Sequence, residues 1–111
     1  TLNNTIMKIV QVTYTTRVEF AGQNQNNIKK VMADLKQLNN AEINYNACLC
    51  VDGKTFIHTA FFESDGDQKL LNELPSFKHF QEQLKASGLE VLPKQELLTL
   101  VGASTDILIR K

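Results

Sequence analysis

The chain has 111 residues, of which 42% are hydrophobic and 22% charged, and its 12 lysines and arginines balance 12 aspartates and glutamates. This composition is typical of one globular domain, with a core over residues 6–102 and a tail over residues 103–111. The zero net charge argues against a nucleic-acid partner, and no apolar run approaches the roughly 20 residues of a membrane span. The first six residues are polar rather than signal-like. The chain begins at Thr1 without a methionine, so Met7 is a candidate original start, and cysteines expected to be reduced favour a cytoplasmic location.

Two cysteines, Cys48 and Cys50, form a C-x-C pair. On one strand their side chains would point to the same face, which is poor geometry for a disulfide between them. Further metal ligands do not flank the pair, so we expect reduced structural thiols, no metal and no cofactor.

The first half of the chain alternates between strand-like and helix-like patterns. β-Branched residues predict a strand over residues 6–14, which we expect to continue through Phe20. The segment GQNQNN after Ala21 then reads as a polar loop, in which Asn26 and Asn27 are candidate N-caps. An amphipathic helix follows from Ile28 and ends at Asn39-Asn40.

Residues 43–62 form two alternating runs around Asp52-Gly53, a dipeptide that favours a two-residue hairpin turn. Such a turn sets the strand register and places five pairs on one face: Val51 with Lys54, Leu49 with Phe56, Ala47 with His58, Tyr45 with Ala60 and Ile43 with Phe62. The opposite face would carry Ile57 and Phe61 beside small and amide side chains.

A second helical region follows, and Pro75 interrupts it because proline lacks the amide hydrogen and its ring clashes with the preceding turn. We expect the helix to restart near Ser76, a candidate cap, and to close at Gly88. The last strand is predicted over residues 94–101. The tail TDILIRK is apolar enough to pair with another segment or with a partner chain.

This order of elements, βαββαβ, predicts a ferredoxin-like α+β domain with both helices on one face of a four-stranded antiparallel sheet. The second face should alternate cleanly if it met water, but it carries Ile57 and Phe61, and both sides of the first strand are apolar. We therefore expect a second copy of the chain to cover this face, giving a homodimer.

The same order, together with the segments DGKTFIHTAFFES and LPSFKHFQEQL, resembles the dimeric α+β barrel superfamily over about residues 6–102. That superfamily includes antibiotic-biosynthesis monooxygenases, haem-degrading monooxygenases and stress-responsive A/B barrel proteins. The resemblance implies two sheets packed face to face as a barrel, helices outside, and a ligand pocket between sheet and helices.

Three positions depart from the catalytic members of that superfamily. Phe62, just before Glu63, stands where those members typically carry a tryptophan, and this sequence has none. Gln81 occupies the slot of the haem-binding histidine, two residues after His79. Thr13 aligns with their first-strand asparagine. These departures argue against a haem enzyme.

His58 is the candidate catalytic residue, because an imidazole with a reference pKa of about 6.5 can act as a general base or orient a ligand. A hydrogen-bonded core histidine is the alternative. The candidate ligand pocket consists of aromatic and polar side chains on the helix-facing side: Tyr14, Tyr45, His58, Phe62, Phe77 and Phe80. His79 should point to solvent, so LPSFKHFQEQL is mainly a packing helix.

Two functions remain open. The first is a ligand-binding barrel of the stress-responsive kind that recognises a small apolar or aromatic compound. The second is a cofactor-independent monooxygenase of an aromatic substrate, with His58 as base and Tyr45 as polar handle. An RNA-recognition module shares the strand order, and Phe56 and His58 have the spacing of base-stacking aromatics. The zero net charge and the lack of an R/K-G-F/Y motif argue against that third interpretation.

Overall fold

The structure is a computed structural model that describes residues 7–108. These residues contain seven elements in chain order: β1 (Lys8–Thr15), α1 (Val18–Leu38), β2 (Ile43–Leu49), β3 (Thr55–Phe62), α2 (Asp65–Glu73), α3 (Pro75–Ala86) and β4 (Val91–Leu98). The strands form one antiparallel sheet in the order β2-β3-β1-β4. The predicted ferredoxin-like α+β fold is confirmed, with its second helical region split in two. Within the described range, no helix has both the length and the apolar character to cross a bilayer.

The first helix begins much earlier than the sequence pattern indicated. β1 ends at Thr15 and α1 begins at Val18, so the predicted strand through Phe20 and the predicted polar loop were both wrong. The buried stripe of α1 runs back from Ile28 to Asn24 and Ala21, because helix positions three and four apart share a face. The helix ends where predicted, with Asn39 as its left-handed C-cap at φ 50°.

The hairpin has the predicted register over its strands: Ile43 with Phe62, Tyr45 with Ala60, Ala47 with His58 and Leu49 with Phe56. The turn itself differs, because Cys50 pairs with Thr55 and the Gly53 amide donates to the Cys50 carbonyl over 3.0 Å. Residues 51–54 therefore form a four-residue loop. A two-residue type I′ turn needs positive φ at two successive positions, and only Gly53, at φ 77°, has it here.

The second helical region is interrupted at Pro75, as predicted, and Pro75 itself begins α3. It occupies the first helical position, where the missing amide hydrogen would have had no partner anyway. Leu74 is therefore the N-cap, and the predicted cap at Ser76 was wrong. The capping serine of this region is Ser64, which forms a reciprocal capping box with Asp67 at the start of α2.

The last strand is an exposed edge strand at Val91–Leu98, rather than at residues 94–101 as predicted. Its register against β1 shifts between Thr13 and Thr15, so that Leu92 and Pro93 together face Tyr14 in a bulge. Proline is tolerated there because an edge-strand bulge does not require its amide hydrogen. All 8 residues of β4 are exposed.

The helices cover one face of the sheet, and the core lies between the helices and that face. Its largest fully buried apolar side chains are Tyr14, Val31, Phe56 and Phe62. Phe77, Phe80 and Leu84 of α3 close over them. This arrangement places the aromatic residues of β1, β3 and α3 around a shared interior.

The C-terminal segment crosses one end of the opposite face. Ile9, Phe61 and Asn44 form a row across three strands on that face, and Asn44 Nδ2 donates to the Ile107 carbonyl over 3.0 Å. Ile9 is accordingly only 4% exposed, and Leu108 is buried. The described part of the tail therefore contacts its own sheet, while residues 109–111 lie outside the described range.

Candidate functional site

A cavity of about 700 Å³ lies between the sheet and the second helical region. The structure brings all six predicted pocket residues to it: Tyr14, Tyr45, His58, Phe62, Phe77 and Phe80. Strand alternation puts the first four on the helix-facing side, and the spacing of three residues puts the two phenylalanines on one side of α3. The volume falls within the roughly 300–1,000 Å³ typical of small-molecule sites.

His58 lies at the floor of this cavity between two tyrosines. Its Nε2 is 2.7 Å from the Tyr14 hydroxyl oxygen, and its Nδ1 is 2.6 Å from the Tyr45 hydroxyl oxygen. Asn24 of α1 donates from Nδ2 to the Tyr14 hydroxyl over 2.8 Å. The four side chains form a continuous series of hydrogen bonds, Asn24–Tyr14–His58–Tyr45, which we call the polar relay.

The polar relay is electrically neutral near pH 7. Burial lowers the pKa of His58 from 6.5 to about 4, because the charged imidazolium is poorly solvated there. Burial also raises the pKa of both tyrosines above the usual 10.0; the hydrogen bond from Asn24 partly opposes this at Tyr14. The cavity floor therefore offers hydrogen bonds rather than charge.

Aromatic rings surround the imidazole. The Phe80 ring centroid is 5.4 Å from that of His58 at an angle of 32°, and Phe77 lies 5.7 Å from Phe80. Tyr45 meets Phe77 edge-on at 6.1 Å. These distances are those of favourable aromatic pairs, so the ring contacts hold the relay in a fixed orientation beside an apolar wall.

Polar side chains lie around the opening of the cavity. Gln81 and Lys85 project from α3, and Gln95 comes from β4. Leu92 and Pro93 also line the cavity, because the bulge turns both of these neighbours toward it. Among the described lining residues Lys85 is the single cation and none is acidic, so the lining disfavours a cationic ligand.

Asn24 is the site residue that the sequence pattern did not identify. It is fully buried in α1, whereas the sequence placed it in a polar loop. A signal was available, since extending the apolar stripe of Ile28 and Val31 backwards by one turn reaches position 24. A polar residue on such a stripe is a candidate for a buried hydrogen-bonding role.

Several other candidates lie away from the cavity or do not suit their predicted chemistry. His79 is exposed on α3, as predicted. Thr13 lies on the opposite sheet face, since its neighbours Val12 and Tyr14 face the cavity. Gln81, which the resemblance aligned with a haem-binding histidine, lines the cavity as an exposed amide side chain. Within residues 7–108, no group of three metal-ligating side chains lies together.

The structure also places two pairs of hairpin residues discussed in the sequence, Phe56 with His58 and Cys48 with Cys50. Phe56 and His58 are only 2% and 5% exposed beneath the helices, so they cannot stack on RNA bases. Cys48 and Cys50 are free thiols on the opposite face.

No protein-family model matches the chain, and no curated protein matches it. Solved structures do match. PA3566 from Pseudomonas aeruginosa is 14% identical with a TM-score of 0.74, covering 91% of this chain and 100% of that one. A Caulobacter crescentus CB15 protein, described as a candidate antibiotic biosynthesis monooxygenase, is 16% identical with a TM-score of 0.73, covering 88% and 92%.

SnoaB from Streptomyces nogalater, a cofactor-independent oxygenase, is 10% identical with a TM-score of 0.67, covering 90% of this chain and 98% of that one. Identities this low establish the fold and leave the activity open. The chain therefore shares the ferredoxin-like α+β fold of these solved structures, which confirms, at the level of the fold, the resemblance noted in its sequence.

Proposed function

We propose that this chain is a homodimeric α+β barrel protein that binds a small apolar or aromatic molecule in the cavity between sheet and helices. The observation that carries the proposal is the cavity itself: about 700 Å³, walled by phenylalanines and floored by the polar relay. An apolar pocket with a few converging polar groups is the usual form of a small-molecule site.

The expected affinity can be bounded from the size of a ligand that fits. A bicyclic aromatic that loses roughly 250 Å² of apolar surface to the cavity gains about 6 kcal/mol. Association costs at least about 4 kcal/mol. The apolar contact alone therefore supports only weak binding, and hydrogen bonds at the floor would decide which ligand is preferred.

Calorimetric titration with bicyclic aromatics tests the proposal when it is combined with a cavity-filling variant. Ala60 lies on β3 opposite Tyr45 and lines the cavity, so Ala60→Phe should obstruct the part of the cavity beside Tyr45 and strongly weaken binding. Ala60→Val is the matched control and should retain binding, because it adds much less volume. Circular dichroism checks that both variants fold, since overpacking costs roughly 1–3 kcal/mol. Equal binding by Ala60→Phe and wild type would place the ligand elsewhere.

The homodimer is proposed because apolar side chains remain exposed along the edge of the sheet. Leu92 and Leu97 of β4 are 75% and 67% exposed, and Val101 beyond it is fully exposed. Ile57 lies in the part of the opposite face that is distant from the tail. A second copy of the chain placed against this face and β4 would remove such groups from water.

Sedimentation velocity at micromolar concentration tests the dimer. Wild type should sediment with the mass of two chains, and Ile57→Asp should sediment as one chain, because it puts a charge into the proposed interface. Val51→Asp is the control, since Val51 is fully exposed in the hairpin loop. A wild-type particle with the mass of a single chain would refute the dimer.

A second candidate function is a cofactor-independent monooxygenase acting on an aromatic substrate. The fold shared with SnoaB and the buried His58 with its tyrosines favour it. Both ring nitrogens of His58 are bonded to tyrosine hydroxyls, so a substrate proton could reach the imidazole through Tyr45 only in the tautomer whose Nδ1 carries no proton. Oxygen uptake with quinols and polycyclic phenols should then be lost in both His58→Ala and Tyr45→Phe. Uptake that survives in both variants, or is absent in wild type, would remove this candidate.

A further inference from the structure

We infer that Asn24 sets the direction of the polar relay, so that His58 carries its proton on Nδ1 and the Tyr45 hydroxyl is left to donate to the ligand. The ligand recognised in this way bears an acceptor oxygen on an aromatic frame, as an aryl ketone does. The part of this inference that concerns the ligand rests on the proposed function of the cavity, whereas the part that concerns the proton does not.

Counting protons along the relay gives this direction. The Tyr14 hydroxyl already accepts a hydrogen bond from Asn24 Nδ2, and its remaining partner is His58 Nε2 at 2.7 Å. Its proton must therefore be donated to Nε2, which then carries none. A neutral imidazole has one N–H, and here that N–H lies on Nδ1 and donates to the Tyr45 oxygen at 2.6 Å. The Tyr45 proton has no acceptor among the described residues.

The opposite direction is energetically worse. Turning over the Asn24 amide, whose Oδ1 has no partner here, would give Tyr14 an acceptor but would leave the amide nitrogen as a buried donor without a partner. With the amide as it stands and the proton on Nε2, Tyr14 would accept two hydrogen bonds, and its own proton would have no acceptor within the described structure. Tyr14 is only 1% exposed, so that donor would be buried without a partner. An unsatisfied buried donor is costly. In the favoured direction the free donor is on Tyr45, which is half-buried and lines the cavity, where a ligand or water can accept.

The direction of the relay determines the complementary ligand chemistry. A donor at the cavity floor favours a carbonyl oxygen and offers nothing to a pure hydrocarbon. Lys85 lies at the opening and not in the relay, so it does not supply an alternative donor at the floor. Asn24 acts on the ligand through two intervening side chains and is a positioning residue.

The proton position can be measured directly by ¹⁵N NMR of the imidazole rings in the wild-type protein. The chain has two histidines, so His79→Gln, which removes the exposed ring, assigns the His58 signals. The expected result is a protonated Nδ1 and an unprotonated Nε2. A protonated Nε2 in wild type would overturn the inference, whether or not any ligand binds.

Asn24→Asp tests whether residue 24 sets the direction. At mildly alkaline pH an aspartate can only accept, so Tyr14 would donate to it and the His58 proton should move to Nε2. Asn24→Leu removes the donor without supplying an acceptor and should give a mixture of the two tautomers. An Nδ1 proton retained in both folded variants would show that residue 24 does not control the relay.

The ligand part is tested by comparing 2-acetylnaphthalene with 2-isopropenylnaphthalene, which has nearly the same shape and no oxygen. Wild type should bind the ketone roughly three- to tenfold more tightly, the value of one hydrogen bond, and Tyr45→Phe should bind both equally. Equal wild-type affinities would refute the predicted donor. Binding of neither compound would count against the proposed function in this ligand class, while the tautomer measurement would still decide the direction of the relay.

Discussion

Acid should destabilise this protein through one buried imidazole. The pKa of His58 is lowered from 6.5 to about 4 by burial, so the unfolded chain takes up a proton at a higher pH than the folded chain does. The stability that neutral His58 contributes is therefore complete above about pH 6.5 and is lost as the pH falls toward 4. Across the whole window the loss approaches about 3 kcal/mol, at about 1.4 kcal/mol for each unit of pKa difference.

A narrower window separates this effect from the titration of carboxylates. Between pH 7.5 and pH 5 the same two pKa values give a loss of about 2 kcal/mol in the free energy of unfolding. Urea unfolding at fixed protein concentration measures it, with His58→Gln as the variant that cannot take up the proton. The wild-type stability should fall by about 2 kcal/mol more than that of the variant over this window.

The exposed histidine supplies the control. His79→Gln removes an imidazole that lies on the solvent side of α3 and should keep the full wild-type pH response. If wild type and His58→Gln lost stability in parallel between pH 7.5 and pH 5, then His58 would not be buried in the neutral state described here.

Other substitutions test the local structure, each through the urea midpoint. Gly53→Ala should cost about 1 kcal/mol of folding stability because Gly53 has φ 77°. Gly22→Ala, in the open interior of α1, should instead stabilise the protein by about 0.5–1 kcal/mol. A change of stability in the same direction for both variants would contradict the assigned backbone. Ser64→Ala should cost about 1 kcal/mol through loss of the capping box, and an unchanged midpoint would count against that cap. Leu108→Ala should cost about 2–3 kcal/mol, whereas Val51→Ala in the exposed hairpin loop should cost less than about 0.5 kcal/mol; equal small effects would show that the tail does not pack on its own sheet.

Most of what could be predicted from the sequence follows from the alternation of side chains between the two faces of a strand. The run from Ile43 to Phe62 concentrates its apolar residues on one face around Asp52-Gly53, although Ile57 and Phe61 lie on the other, and a period of two then leaves only one register that keeps the apolar set together. That register by itself puts His58 and Tyr45 on the helix-facing side of the sheet. The loop differed in type without altering the pairing, because both turns are centred between Asp52 and Gly53.

Elements with atypical surroundings were harder to predict. The first turns of α1 carry the polar run GQNQNN, and Asn24 was hidden in it because a buried amide resembles an exposed one in sequence. β4 is exposed on both faces, so no alternation marks its bounds, and its proline suggested a boundary where the structure has a bulge. The distances that link Asn24, Tyr14 and His58 depend on how α1 packs on β1, which sequence periodicity does not specify.

The most direct test of the account is a crystal structure of the protein with 2-acetylnaphthalene bound. We predict that the naphthyl group lies against Phe77 and Phe80 and that the ketone oxygen accepts a hydrogen bond from the Tyr45 hydroxyl. A ligand bound outside the cavity, or one whose oxygen points to Lys85 at the opening, would contradict it.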